Sequence, residues 1–140
     1  MPTTDAITPI KGMSFGCDPE LFIVNQNGVA VSPEDFLPGT KEEPYPVPKG
    51  AIQVDGMAAE FNIEPAETFD EFNDNIETVM GELKKMLPKG HEFAIQPSMI
   101  FEEDVMARAS STALELGCSP DFNAWTGQVN PPPDPDGNPL

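Results

Sequence analysis

Basic residues are scarce in this chain. Seven lysines and arginines face 24 acids over 140 residues, for a formal charge of −17. Affinity for a nucleic-acid backbone comes from cations that neutralise phosphates, so no nucleic-acid partner is expected. Attachment to an anionic membrane is disfavoured on the same ground. No apolar run approaches the ~18 residues of a membrane span. The start, Met1-Pro2-Thr3-Thr4-Asp5, lacks the basic and apolar regions of a signal peptide. With two cysteines, Cys17 and Cys118, there is neither a disulfide framework nor a CxxC pair for zinc or redox work. Small buried packing in a reducing compartment is their expected role, and the cytoplasm is the expected location. A single histidine, His91, excludes any site that needs two, and no nucleophile–histidine–acid triad can be argued from it. A solvated loop is its expected setting.

What is abundant is proline, at 17 residues, which points to long proline-fixed loops in a chain that is 39% hydrophobic. The length suits one domain with one core. Residues 13–24 read as a strand, followed by an Asn25–Gly28 turn into a short partner at 29–31. Residues 32–50 read as a loop. Residues 51–63 read as a second strand, with Gly56 marking a bulge or a close backbone approach. The clearest helix spans about 68–87. Phe69, Phe72, Ile76, Val79, Met80, Leu83 and Leu87 form one apolar stripe, and Thr68 with Glu71 spells a capping box. Lys84 and Lys85 suit its C-terminal end, and Pro88 to Gly90 stops it. A helix of this kind packs on a sheet. Residues 92–101 read as a third strand, pushed to an edge by Pro97, and 105–116 as a short helix ending at Gly117. The stretch 130–140 holds five prolines and reads as an extended or disordered tail.

Chemistry concentrates in two strand-like stretches. Gly16-Cys17-Asp18-Pro19-Glu20-Leu21-Phe22-Ile23-Val24 carries Asp18 and Glu20. Gln53-Val54-Asp55-Gly56-Met57-Ala58-Ala59-Glu60-Phe61-Asn62-Ile63 carries Asp55 and Glu60. Side chains two apart on a strand share a face, so Asp18 goes with Glu20, and Glu60 with Asn62. A buried carboxylate needs a cation, a donor or a proton to offset its desolvation. Two such strands side by side would present the hard oxygen donors that magnesium prefers. Plainer roles compete at each position: Asp18-Pro19 and Asp55-Gly56 both spell turns, and Glu20 could simply face solvent. Lys41, in a Gly-Thr-Lys segment that is not a Walker motif, is either a surface lysine or a phosphate contact. Trp125 either seals the core or stacks on a base.

Taken together, Phe15 to Glu20, Pro38-Gly39-Thr40-Lys41-Glu42-Glu43-Pro44, Val54 to Ile63, and Gly117-Cys118-Ser119-Pro120-Asp121-Phe122-Asn123-Ala124 resemble, in order, the phage carboxylate–amine ligases termed COOH–NH2 ligase type 2. That family is similar in fold to glutamate–cysteine ligase and glutamine synthetase. The resemblance implies an α+β fold, an antiparallel sheet holding Mg2+ and ATP on its concave face, with helices packed on the other. It implies phosphorylation of a small-molecule or peptide carboxylate and attack of an amine on the acyl phosphate, in a phage-infected host cell. Asp18, Glu20, Glu60 and Asp55 are the expected metal-binding acids, and Lys41 and Asn62 the expected nucleotide contacts. The family pattern continues beyond position 130 into a Gly-Gly-His-x-His-type strand that this sequence lacks. The expected organisation is therefore an N-terminal extension (1–12), the N-terminal half of a ligase-like domain (13–129) and the proline-rich tail (130–140), with the sheet incomplete. A non-catalytic phage interaction protein is the alternative, pairing with itself or with a complementing chain through an open sheet edge.

Overall fold

The computed structural model describes residues 12–114 and 122–129. The expected tail, the Cys118 motif up to Asp121, and the extension apart from Gly12 lie outside the described residues. Within them the chain is α+β, an antiparallel sheet with helices. Strands β1 (Glu20–Val24), β2 (Ala30–Val31), β3 (Tyr45–Val47), β4 (Gly50–Asp55) and β5 (Ala58–Ile63) lie in the order β2-β1-β5-β4-β3. A sixth, β6 (Glu92–Ala94), pairs with β1.

The stretch 51–63 is two strands rather than one. Asp55 pairs with Ala58 across a two-residue loop, Gly56-Met57, and β4 and β5 then run antiparallel back to Gly50 and Ile63. Gly56 has φ 58 while Met57 does not have positive φ. Positive φ at the first central residue is the type II′ arrangement, whose twist matches that of the flanking strands. The glycine therefore reverses the chain where a bulge or a close backbone approach was expected. Of the 13–24 stretch only 20–24 is a strand proper, because Pro19 removes a donor. The segment before it still runs along β5, Phe61 and Ile63 donating to the carbonyls of Pro19 and Cys17 at 3.2 and 3.3 Å. The 32–50 loop contains a 3-10 turn at Pro33–Asp35 and the strand β3, which its prolines had obscured. β3 is three residues long and carries Pro46, and β2 has two residues, so both ends of the strand path are short.

Helix α1 (Phe69–Met86) forms nearly where its periodicity places it. Thr68 Oγ1 accepts from Glu71 N at 3.2 Å. In return Glu67 N donates to the Glu71 carboxylate at 2.8 Å, one residue earlier than in a standard capping box. The stripe is rotated from expectation: Phe69 is exposed, and Asn75 is buried with Val79 and Leu83. Asn75 is tolerated because its Nδ2 donates to the Glu64 carbonyl at 3.0 Å. Val79 and Leu83 join Ile23, Leu37, Ile52, Ala59, Phe61 and Ile63 in one core between α1 and the sheet. Gly50 permits this close approach: a Cβ there would overlap the Asn62 carbonyl oxygen and press on Val79 Cγ2 at 2.9 Å.

Three further expectations change. Residues 92–101 contribute only β6, with Ile95 and Ile100 almost fully exposed. The helix expected at 105–116 is α2 (Glu103–Arg108) and α3 (Ser111–Leu114), broken where Ala109 turns extended at ψ 146°. Trp125 is 96% exposed, so it does not seal the core. No helix among the described residues is long and apolar enough to cross a membrane.

Candidate metal centre

The register of the three longest strands sorts the chemistry onto one face. Glu20 pairs with Glu60, Gln53 with Glu60, and Ala51 with Asn62. Residues directly opposite across antiparallel strands point the same way, and the alternation carries Asp55 to that face with Gln53. The other face, Ile52, Ala59, Phe61 and Ile63, is under α1. Two-residue alternation on β4 and β5 thus divides the sheet into an apolar side and an acidic side.

Glu20, Asp55 and Glu60 come together there, with one carboxylate oxygen from each lying within 4.8 Å of the others. They arrive from three adjacent strands. Glu20 opens β1, Asp55 closes β4 before the Gly56 turn, and Glu60 sits in β5 between them. Burial lifts the Glu60 carboxyl above its ordinary value, and the neighbouring charges of Asp55 and Glu20 add to the rise. A hydrogen bond from Gln53 works against it. That bond runs from Gln53 Nε2 to Glu60 Oε2 at 2.7 Å. Gln53 is only 6% exposed although it lies on the acidic face, so it pins the Glu60 carboxylate in one orientation. It was missed in the sequence, where the only signal is its position two residues before Asp55 on the same strand.

The remaining candidates divide. Lys41 Nζ reaches Asp55 Oδ2 at 3.0 Å. Its loop is held by Val54 N donating to the Gly39 carbonyl at 3.2 Å and by Glu43 N donating to Thr40 Oγ1 at 3.1 Å. Lysine and aspartate are both partly exposed, so the pair positions more than it stabilises. Asn62 is half-buried on the acidic face, one pair along from Glu60. Asp18 is exposed and outside the three-acid group, although it raises the neighbouring Cys17 thiol, whose main upward push is burial. His91 is not a solvated loop residue: it is half-buried, its ring meets Phe36 edge-on at 5.7 Å, and its Nδ1 is buried without a partner among the described residues.

Three carboxylates so placed can act as hard oxygen donors toward a small divalent cation, and their mutual repulsion is what such an ion would relieve. Comparison with known proteins finds no family model, no curated protein and no solved structure that matches this chain.

Proposed function

We propose that Glu20, Asp55 and Glu60 hold a divalent cation, and that this chain serves an ATP- and Mg2+-dependent carboxylate–amine ligase with a glutamine synthetase/glutamate–cysteine ligase-like fold. The observation that carries the reading is the convergence of the three acids on the face of the antiparallel sheet opposite α1. Further support is chemical. The donors are all carboxylate oxygens, the set suited to magnesium rather than to softer metals. A chain with so few cations of its own needs a metal ion to approach a phosphate chain. When bound, Mg2+ would supply charge neutralisation at the phosphates of ATP.

In the proposed reaction a substrate carboxylate oxygen attacks the γ-phosphorus of ATP. The bond to the β–γ bridging oxygen breaks and ADP leaves. An amine nitrogen then attacks the acyl carbon, the acyl C–O bond to phosphate breaks, phosphate leaves, and the nitrogen gives up a proton as the amide forms. The chain's own contributions are positional. Gln53 orients Glu60, and the Gly39–Glu43 loop brings Lys41 to Asp55, beside the acids and within the same stretch of surface. Pairing through an open sheet edge is not proposed, since the ends of the strand path offer two residues at β2 and a proline-interrupted three at β3.

Two measurements test this. Mn2+ titration followed by electron paramagnetic resonance should show one saturable site that Glu60→Gln weakens, and a silent titration removes the cation centre. Incubation with ATP, Mg2+, hydroxylamine and a panel of amino-acid and peptide carboxylates should release ADP and form a hydroxamate. Saturable Mn2+ binding with no hydroxamate from any carboxylate would leave a metal-binding protein and discard the ligase.

A further inference from the structure

The three-acid group already holds a cation of the chain's own. Lys41 Nζ lies 3.0 Å from Asp55 Oδ2, on one of the carboxylates that converge with Glu20 and Glu60. The loop that carries it is closed on itself: Thr40 N donates to the Glu43 carbonyl and Glu43 N to Thr40 Oγ1, both at 3.1 Å. Gly39 roots the loop against the sheet. Its φ is 86, and a Cβ there would overlap the Ile52 carbonyl oxygen. Lys41 is therefore aimed from a fixed base. Its long stem, with 54% of the side chain exposed, can swing without moving that base.

An ammonium and a metal ion compete for Asp55. A small divalent cation sits about 2.1 Å from a carboxylate oxygen. With the ammonium on the same carboxylate, two positive centres would stand within about 5 Å of each other and repel. Glu20 and Glu60 attract whichever cation enters between the strands, and that attraction scales with its charge. A monovalent ion gains little by displacing an ammonium of equal charge. A divalent ion gains twice as much from each carboxylate. The Lys41–Asp55 pair is partly exposed and so weak, which suits it to exchange rather than to holding the fold.

We propose that Lys41 is a tethered counter-ion of the metal centre, occupying Asp55 when no metal is bound and yielding the carboxylate to a divalent cation. The proposal rests on the reading of Glu20, Asp55 and Glu60 as a cation site. Its consequence is reciprocal coupling. Whatever the lysine subtracts from metal affinity, the metal subtracts from the hold of Lys41 on Asp55.

The test compares Mn2+ titrations, followed by electron paramagnetic resonance at equal ionic strength, of the wild type, Lys41→Met and Lys49→Met. Lys49 pairs with Asp74 on α1 and precedes β4, whereas Asp55 ends it. Strand rise sets the two roughly 20 Å apart, beyond a Debye length of about 8 Å, so Lys49→Met controls for net charge. Methionine keeps an unbranched stem at both positions, neither of them buried. Lys41→Met should tighten Mn2+ about three- to tenfold, the weight of one exposed ion pair together with the repulsion removed. Lys49→Met should leave the affinity unchanged. In the wild type, Mg2+ should also move the Lys41 ε-methylene resonance, assigned by its loss in Lys41→Met. Unchanged or weaker binding by Lys41→Met would mean that the lysine positions Asp55 for the metal; the counter-ion role is then overturned and the metal centre stands. Equal tightening by Lys49→Met would reduce the effect to net charge and overturn the role as well. Silence from all three chains removes the metal centre itself, and the counter-ion with it.

Discussion

Glu60→Gln should move stability in opposite directions with and without a divalent cation. Two unit charges 4.8 Å apart repel by about 1 kcal/mol at the dielectric of water and about 3.5 kcal/mol at an effective dielectric near 20. Glu60 faces two such neighbours, Glu20 and Asp55, so neutralising it relieves about 2 to 7 kcal/mol before screening. Glu20 is exposed and Asp55 only half-buried, which selects the low end. The variant also gives up the charge assistance in the Gln53 hydrogen bond, about 1 kcal/mol. The net expectation at pH 7 without metal is a gain of about 1 kcal/mol, or roughly 3–4 °C in Tm for a chain of this size.

The pH dependence follows from the direction of the Glu60 shift. A carboxyl whose folded pKa is raised keeps its proton to higher pH in the folded chain than in the unfolded one. Its penalty is absent below the ordinary glutamate value of 4.5, grows as pH rises from there through the folded pKa, and is constant above it. The advantage of Gln at position 60 should therefore be full at neutral pH and vanish on acidification. Saturating Mn2+ should reverse the order, since a ligand at a hundred times its Kd stabilises the wild type by about 2.7 kcal/mol. Thermal unfolding by circular dichroism at pH 7 and pH 4, each with EDTA or Mn2+, covers every arm. A variant less stable than wild type in EDTA at pH 7 would refute the charge-crowding reasoning. Equal Tm responses to Mn2+ in both chains would refute the cation site.

The remaining expectations concern the scaffold. Gly50→Ala should cost about 1–3 kcal/mol in urea unfolding, because the added methyl has the Asn62 carbonyl and Val79 in its way; an unchanged midpoint would mean α1 is less tightly seated than described. Asn75→Ala should cost about 1–3 kcal/mol by the same assay, leaving the Glu64 carbonyl without its buried donor. Trp125 should be quenched by acrylamide as readily in the native chain as in urea, and native protection would contradict its exposure.

How much of this was legible in the sequence depends on the distance over which each feature is decided. Helix α1 was legible because its cap, its stripe and its stop all lie within twenty residues of one another, a local problem that local rules solve. Its exact facing was not, because Asn75 is buried by a carbonyl from another segment, Glu64, which periodicity cannot see. The β4–β5 hairpin was half legible. Asp55-Gly56 spells a turn, but the apolar residues on either side also spell one continuous strand, and only pairing between Ile52 and Phe61 decides. Trp125 went the other way for a similar reason: a large aromatic ring carries a prior toward burial, and nothing nearby in the chain records its exposure.

The acidic face shows the same division in its sharpest form. Alternation placed Glu60 with Asn62, since both lie in β5 and that is geometry within one strand; Asp18 lies before β1, outside any strand. Which acids meet is set by register between strands. The pairing of Glu20 with Glu60, and of Gln53 with Glu60, brings Glu20 level with β4, where the hairpin turn delivers Asp55; Asp18 falls two residues further along, toward Asn62 and Ala51. Gln53 follows from the same register and was invisible without it. A one-residue slip would send Ile52 and Phe61 to the acidic side and the carboxylates under α1, so the apolar core that stabilises the sheet also enforces the convergence of the three acids. Substitutions such as Gly50→Ala that disturb the seat of α1 should on that account weaken Mn2+ binding as well as stability.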